Sequence, residues 1–193
     1  MKKEINKTKI AELITQLLIE FGDDIHREGL QDTPKRAADM FAEMLQGMRY
    51  SNDEIATMFD KTFESSNRKD LVLVKDIECF SFCEHHIALI YNIKIHIGYI
   101  PNGRVIGLSK IARIADIVCK RLQLQERIGD DIAQILSKIC NTQDVIVVIE
   151  AKHSCMSARG IKNTSAETRT AAIRGIFETD LPLRQEVYQL IKN

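Results

Sequence analysis

The chain has 193 residues, enough for one domain with a small appendage, and 45% of them are hydrophobic, which supports a real core and excludes a disordered chain. Lysine plus arginine equals aspartate plus glutamate, 27 each, so no global field draws the protein to nucleic acid or membrane, and an anionic ligand has to meet a local cluster of basic groups. The basic start Met1-Lys2-Lys3 leads into no uninterrupted apolar stretch, no run approaches a membrane span, and the odd count of five cysteines reads as free thiols or metal ligands, so a cytoplasmic protein is expected.

From the N-terminus, Ile10, Leu13, Ile14, Leu17, Leu18 and Phe21 follow the three-four spacing of an amphipathic helix, ended by Gly22-Asp23. Thr33 reads as an N-cap with Pro34 at the first helical position, and Ala37, Met40, Phe41, Met44 and Leu45 as the buried stripe behind it. Ser51 or Asn52 caps a short third helix through Phe59. The pattern changes near Lys69. Residues 71–74 are apolar and β-branched, as in a strand, and 87–100 read as another, with Ile93, Ile95, Ile97 and Tyr99 on one face. Pro101-Asn102-Gly103 makes a turn, and Ser109 is the expected N-cap of a helix carried by Ile111, Ile114, Ala115, Val118 and Leu122. A second helix over 126–140 turns Ile128, Ile132, Ile135, Leu136 and Ile139 inward. Residues 145–149 form a buried strand, a further strand is expected over 171–178, and Pro182 starts a last helix that uses Leu183, Val187, Leu190 and Ile191. The order predicts an α+β fold: an N-terminal helical region over 1–68, then, over 69–193, an antiparallel sheet of about four strands with two helices on one face. Such a sheet has edges to cover, and pairing between copies is one remedy.

Two clusters carry the chemistry. Cys83-Glu84-His85-His86 and His153-Ser154-Cys155 hold three of the five histidines and two of the five cysteines. Thiolate and imidazole donors at short spacing within each half suit a tetrahedral zinc site that joins distant parts of one fold. Two arrangements are open: Cys83, His86, His153 and Cys155 as a closed structural site, or three of them with a fourth position for water. Cys79, Cys119 and Cys140 read as core, and the isolated His26 and His96 as surface or core. The H-x-E and P-C-x-x-C halves of zinc deaminases, the H-E-x-x-H helix of metalloproteases, the Walker loop and GxGxxG are all absent.

An anion can be met elsewhere. Gly107-Leu108-Ser109-Lys110 enters a helix, where backbone N–H groups, the dipole, a hydroxyl and an ammonium come together, and Arg113 lies one turn on. Arg159 follows Cys155 closely enough to bring a guanidinium near the metal. Glu126, at the junction of the two central helices, reads by default as a cap of the second, although its carboxylate can equally accept from an N–H and amino edge such as that of guanine.

These blocks, with Tyr99-Ile100-Pro101, Val105 to Lys110, Gln123-Leu124-Gln125-Glu126-Arg127, His153 to Gly160 and Arg27 to Arg36, occur in an order that resembles GTP cyclohydrolase I. The resemblance implies a tunnelling fold preceded by helices, and a homo-oligomer, a ring-shaped decamer, with active sites between subunits. The implied reaction takes GTP and water to 7,8-dihydroneopterin triphosphate and formate, the first step of tetrahydrofolate and pterin biosynthesis. By the same resemblance Cys83, His86 and Cys155 bind Zn2+ with water in the fourth position, and His85 and His153 serve proton transfer and substrate contact. Glu126, with Gln125 beside it, holds the guanine edge; Ser109, Lys110, Arg113 and Arg159 meet ribose and triphosphate; Arg36 adds a basic group at the phosphate end. Where the family often has a lysine three residues after Arg36, this chain has Asp39, which would repel a triphosphate if it pointed inward. A tunnelling-fold protein with a purely structural zinc is the competing expectation, and it requires four protein ligands.

Overall fold

The computed structural model describes residues 4–65 and 70–192; both residues flanking the expected domain boundary, 68 and 69, lie outside them. Helix α1 (Lys7–Glu20) starts at Asn6, whose side chain accepts from the Lys9 amide at 2.9 Å. Its apolar stripe exists, but this chain leaves it open: Leu17 is 46% and Phe21 72% exposed. Helix α2 (Thr33–Met44) packs against α1. Its cap position is Asp32, so the expected Thr33 cap moves by one residue: Thr33 is the first helical residue and its hydroxyl donates to the Gly29 carbonyl at 3.2 Å. Ala38 is its fully buried residue, whereas Met40, expected inside, is exposed. A 3-10 turn, Gln46–Arg49, leads to α3 (Asn52–Met58), which Ser51 and Glu54 start with a reciprocal capping box. Ile55 and Ala56 of α3 enter the main core, so the helical region is already packed into the sheet domain before the expected boundary.

The strands follow as β1 (Thr62–Glu64), β2 (Val72–Cys83), β3 (Ala88–Tyr99) and β4 (Arg104–Ile106). Then come α4 (Leu108–Cys119), β5 (Leu122–Gln123), α5 (Gln125–Cys140), β6 (Val145–His153), α6 (Ser154–Ser157), β7 (Thr168–Ile173), α7 (Ile176–Thr179) and α8 (Leu181–Lys192). β1 and β4 make a small antiparallel ribbon, and the main sheet runs β5-β2-β3-β6-β7. The expected four antiparallel strands are β2, β3, β6 and β7, and the two residues of β5 add a fifth, parallel to the end of β2. Leu122, expected in a helix, belongs to this short strand.

Two strands differ in extent from expectation. β2 runs on to Cys83, because bulges at Val74/Ile77 and Cys79/Ser81, with Asp76 at φ +58°, break the alternation that marks a strand in sequence. β7 lies earlier than 171–178: Gly175 turns the chain at φ +62°, and the Ile176 amide donates to Asp144 Oδ1 to start α7. The main core lies between the sheet and α4–α5, with Ile93, Ile95, Ile97 and Tyr99 meeting Ile111, Ile114, Ile128, Ile132 and Leu136. On the other face Phe177 and Val187 cover Ile146 beside Leu71, Leu73 and Val148. His96 on that face is buried, its Nδ1 accepting from the Asp76 amide at 3.1 Å, while His26 is exposed. Among the described residues no helix is long and apolar enough to cross a membrane.

A polar lock fixes the α4–α5 junction. Arg121 donates to Asp131 and to Asn52, each at 2.9 Å, and to the carbonyls of Gly47 and Tyr50. Gln123 donates to Asp131 Oδ2 at 3.1 Å and accepts from Arg127 at 2.7 Å; Arg127 reaches on to Glu84. Gly47 is needed here, because a Cβ would come within 2.0 Å of the Ile117 carbonyl oxygen. The Arg121–Asp131 pair is about 15% exposed on both sides, so removing one partner strands a buried charge. Asp131→Ala is expected to cost about 3–5 kcal/mol of folding stability, read as a lower urea midpoint; an unchanged midpoint would show that the lock carries no stability.

Candidate active site

β2 ends at Cys83 and β3 begins opposite it at Ala88, so Glu84 to Ile87 form the connecting turn, with Ile87 at φ +51°. Two ladder steps along β3, Ile90 faces His153, the last residue of β6, and α6 then carries Cys155 back over the turn. Three ligand atoms thereby converge: one each from Cys83, His86 and Cys155, all within 4.8 Å of one another. Tetrahedral ligands at zinc-like bond lengths sit about 3.3–3.8 Å apart, so a small inward movement satisfies a metal. The chemistry of the group fits as well. Burial pushes the Cys155 thiol up, with Cys83 beside it adding to the shift; two adjacent thiols resist ionising together, and a divalent cation removes that conflict. Arg159 Nη1 lies 2.8 Å from His86 Nε2, so a guanidinium stands directly beside the group. His85 is exposed with Nδ1 3.8 Å from Cys83 Sγ. The remaining cysteines are core: Cys79 against Cys119 together with burial pushes the Cys119 thiol far up, and burial pushes Cys140 up to about 11.

His153 stands beside this group but is not one of its three members. Its Nε2 lies 2.8 Å from Oε1 of the buried Gln125, and its ring is half-buried. Burial lowers its pKa from the ordinary imidazole value, and the Glu126 carboxylate opposes that shift. Glu126 is in the first turn of α5, exposed; the cap position is Leu124, and no side chain caps the helix. The default reading of Glu126 as a cap is therefore corrected: its carboxylate remains open toward the space beside His153.

Of the expected phosphate-end residues Arg159 reaches the cluster, but this chain does not bring Ser109 and Lys110 to it. Gly107 takes the cap position of α4, so the expected Ser109 cap is corrected too: Ser109 is an exposed first-turn residue. Lys110 donates to the Lys61 carbonyl at 2.8 Å, and Arg113 is exposed. α4 begins near the Tyr99 end of the sheet and runs back to the Cys83 end, where β5 pairs with Phe82 and Cys83. Ser109 and Lys110 are thus about one helix length, roughly 18 Å, from the metal-ligating end. Arg36 is exposed on α2 and paired with Asp32 at 3.2 Å. Asp39 has an answer on its own side: Lys7 of α1 donates to it at 2.9 Å and holds its carboxyl below the usual range.

The family model for GTP cyclohydrolase I matches residues 10–192. The chain belongs to the GTP cyclohydrolase I family. It is 53% identical over 193 residues to the GTP cyclohydrolase 1 of Ruminiclostridium cellulolyticum, covering 97% of this chain and 99% of that protein. It is 56% identical over 181 residues to that of Clostridium botulinum strain Loch Maree, covering 91% and 92%, and 52% identical over 192 residues to that of Clostridium acetobutylicum, covering 97% and 98%.

Sequence reasoning gave Arg121, Gln123, Arg127 and Asp131 no role, yet they hold the β5 segment and, through Glu84, the ligand turn. Polar residues at two- to four-residue spacing between two helices were the available signal, but it does not distinguish a lock from a solvated junction. Metal content is the direct readout of the cluster. Cys83→Ser, His86→Ala or Cys155→Ser is expected to weaken metal binding by more than the roughly 10–100-fold that outer-sphere changes cost, measured by elemental analysis after dialysis. His153→Ala is expected to keep its metal; loss of metal there would make His153 a ligand.

Proposed function

We propose that the protein converts GTP and water to 7,8-dihydroneopterin triphosphate and formate, using zinc held by Cys83, His86 and Cys155, in a homo-oligomer whose active sites are shared between copies. The observation that carries this reading is the three-donor cluster with His153 and Glu126 beside it. A structural staple uses four protein ligands and needs neither a neighbouring imidazole nor an open carboxylate, whereas two thiolates and one imidazole match a catalytic donor set. Bound zinc supplies Lewis acidity and lowers the pKa of water to about 7.

The rest of the chemistry falls to the chain's own residues. Guanine C8 is a poor electrophile until N7 is protonated, and His153 is the group for that proton. Burial lowers the His153 pKa, which makes its imidazolium a ready donor, and the Glu126 carboxylate opposes that shift. Glu126 accepts from N1–H and the 2-amino group, which fixes the ring with C8 toward the cluster. His85, beside Cys83, serves proton transfer as formate departs. Arg159, Lys110, Arg113 and Arg36 meet the triphosphate, which explains local cations in a neutral chain, and Ser109 meets the ribose. Thiol ligands require a reducing compartment, which supports a cytoplasmic setting.

Sharing of sites is supported by the helix length separating Ser109 and Lys110 from the cluster: another copy has to bring them. Sheet extension is a fitting means. Glu78, Lys94, Glu150 and Arg169 are direct neighbours across β2, β3, β6 and β7, a row of alternating charge that ends in Glu78 on one side and Arg169 on the other. Head-to-tail pairing of β7 with β2 of the next copy continues the row and closes a ring; two such rings make the decamer that the resemblance implies.

Incubation with GTP and zinc is expected to release formate and, after oxidation, a fluorescent pterin; a fully metallated protein that releases neither would refute the activity. Co-assembled Lys110→Ala and His153→Ala chains, each inactive alone, are expected to regain activity at about a quarter of the sites if each site draws on two copies, and none if it draws on one. Arg169→Glu is expected to shift the assembly toward smaller species in sedimentation, by about 0.2–1 kcal/mol at each repeated contact, and Glu78→Arg in the same chain to restore it.

A further inference from the structure

Gln125 is the first residue of α5 and only 2% exposed. Its Nε2 donates to the Ile149 carbonyl at 3.1 Å and to the Thr168 carbonyl at 3.0 Å. Carbonyls only accept, so both amide hydrogens are spoken for and the nitrogen end of the side chain is assigned by its partners. The oxygen end then has one orientation, and it lies 2.8 Å from His153 Nε2. An amide oxygen also only accepts, so the hydrogen of that contact belongs to the imidazole.

We infer that Gln125 is a positioning residue that holds His153 as the Nε2–H tautomer and leaves Nδ1 as the nitrogen that exchanges a proton with the substrate. This rests on the reading of His153 as the proton-transfer group and replaces a direct guanine contact for the Gln125 side chain. The arrangement is stiff for a structural reason. Ile149 lies in β6 and Thr168 opens β7, so the amide is fastened to two adjacent strands, and His153 ends the first of them. The backbone of His153 is held independently: Ser157 Oγ donates to its carbonyl at 3.2 Å and lies 3.3 Å from the Tyr91 hydroxyl. For Gln125 to reach a ligand instead, it would have to abandon both carbonyls and the imidazole at once.

The test is 15N-histidine NMR on the metal-loaded protein at pH 8, with the His153 signals identified by their loss in His153→Asn. The wild-type chain is expected to show a protonated Nε2 and an unprotonated Nδ1. Gln125→Met, close in volume and unable to accept, is expected to lose that preference, with kcat for GTP falling about 10–100-fold and KM changing by less than about threefold. A wild-type His153 protonated at Nδ1 would overturn the inference without any variant being needed. So would a Gln125→Met protein that keeps the Nε2–H signature, or one whose KM rises while kcat is retained, which is the pattern of a lost substrate contact. If the wild-type protein has no turnover, the functional reading fails and the NMR result alone decides the tautomer.

Discussion

β3 pairs with β2 on one side and β6 on the other, and its register sets where the donor atoms of the Cys83–His86–Cys155 cluster lie. Cys83 is opposite Ala88 at the end of one ladder, and His153 is opposite Ile90 at the end of the next. A slip of one residue would turn the ligands of one half to the other face of the sheet. The register is held from both faces. Alternate β3 residues from Ile93 to Tyr99 are buried under α4 and α5, and Gly98 on the opposite face leaves room for Ile146, Leu71 and Leu73. Bulges in both ladders absorb extra residues without passing a slip on to the ends.

Position along the sheet is only half of what the site requires; the ligand turn and the start of α5 also have to be held at a fixed height above it. The Arg121–Asp131 pair, Gln123 and Arg127 do this with hydrogen bonds that leave few buried groups unmet at the junction. Desolvation depresses the Arg121 pKa and Asp131 opposes it, so the pair is a buried interaction in which each partner depends on the other. Gln125 extends the same logic to β6 and β7. The α5 N-terminus is thus tied to three strands, and Glu126 and His153 inherit their spacing from that tie.

The core and the presence of a Cys/His cluster were legible in sequence because both are written in strong local patterns. The isoleucines of 93–97 and 128–139 show their period directly, and two Cys/His clusters at ligand spacing point to a metal before any fold is known. What the sequence did not display was anything decided by partners from distant segments. The long β2 hides behind its bulges, and β7 hides because its edge position leaves Thr168, Arg169 and Thr170 polar. Ser109, Thr33 and Glu126 have the right residue types for caps, yet the chain enters each helix one or two residues away, where tertiary packing sets the first turn. Asp39 looks hostile to a triphosphate only until Lys7, on a separate helix, is seen to face it.

A single copy of this chain has two features that the proposed assembly would address together. α1 offers Leu13, Leu17 and Phe21 to solvent, and the sheet has an edge at β7 and another along the part of β2 that β5 does not pair, each a liability for an isolated chain. At the same time Lys110, one of the basic residues suited to a polyanion, sits at the start of α4, away from the cluster that Arg159 adjoins. The proposed assembly would address both: covering the edges would bring the α4 start of one copy toward the Cys83–His86–Cys155 cluster of another. It also reconciles a net charge of zero with a highly charged substrate. Cations spread over separate parts of each neutral chain repel little during folding, and in the proposed assembly those of α4 would join Arg159 where neighbouring copies meet, so part of the attractive field would come from the contacts that complete the site.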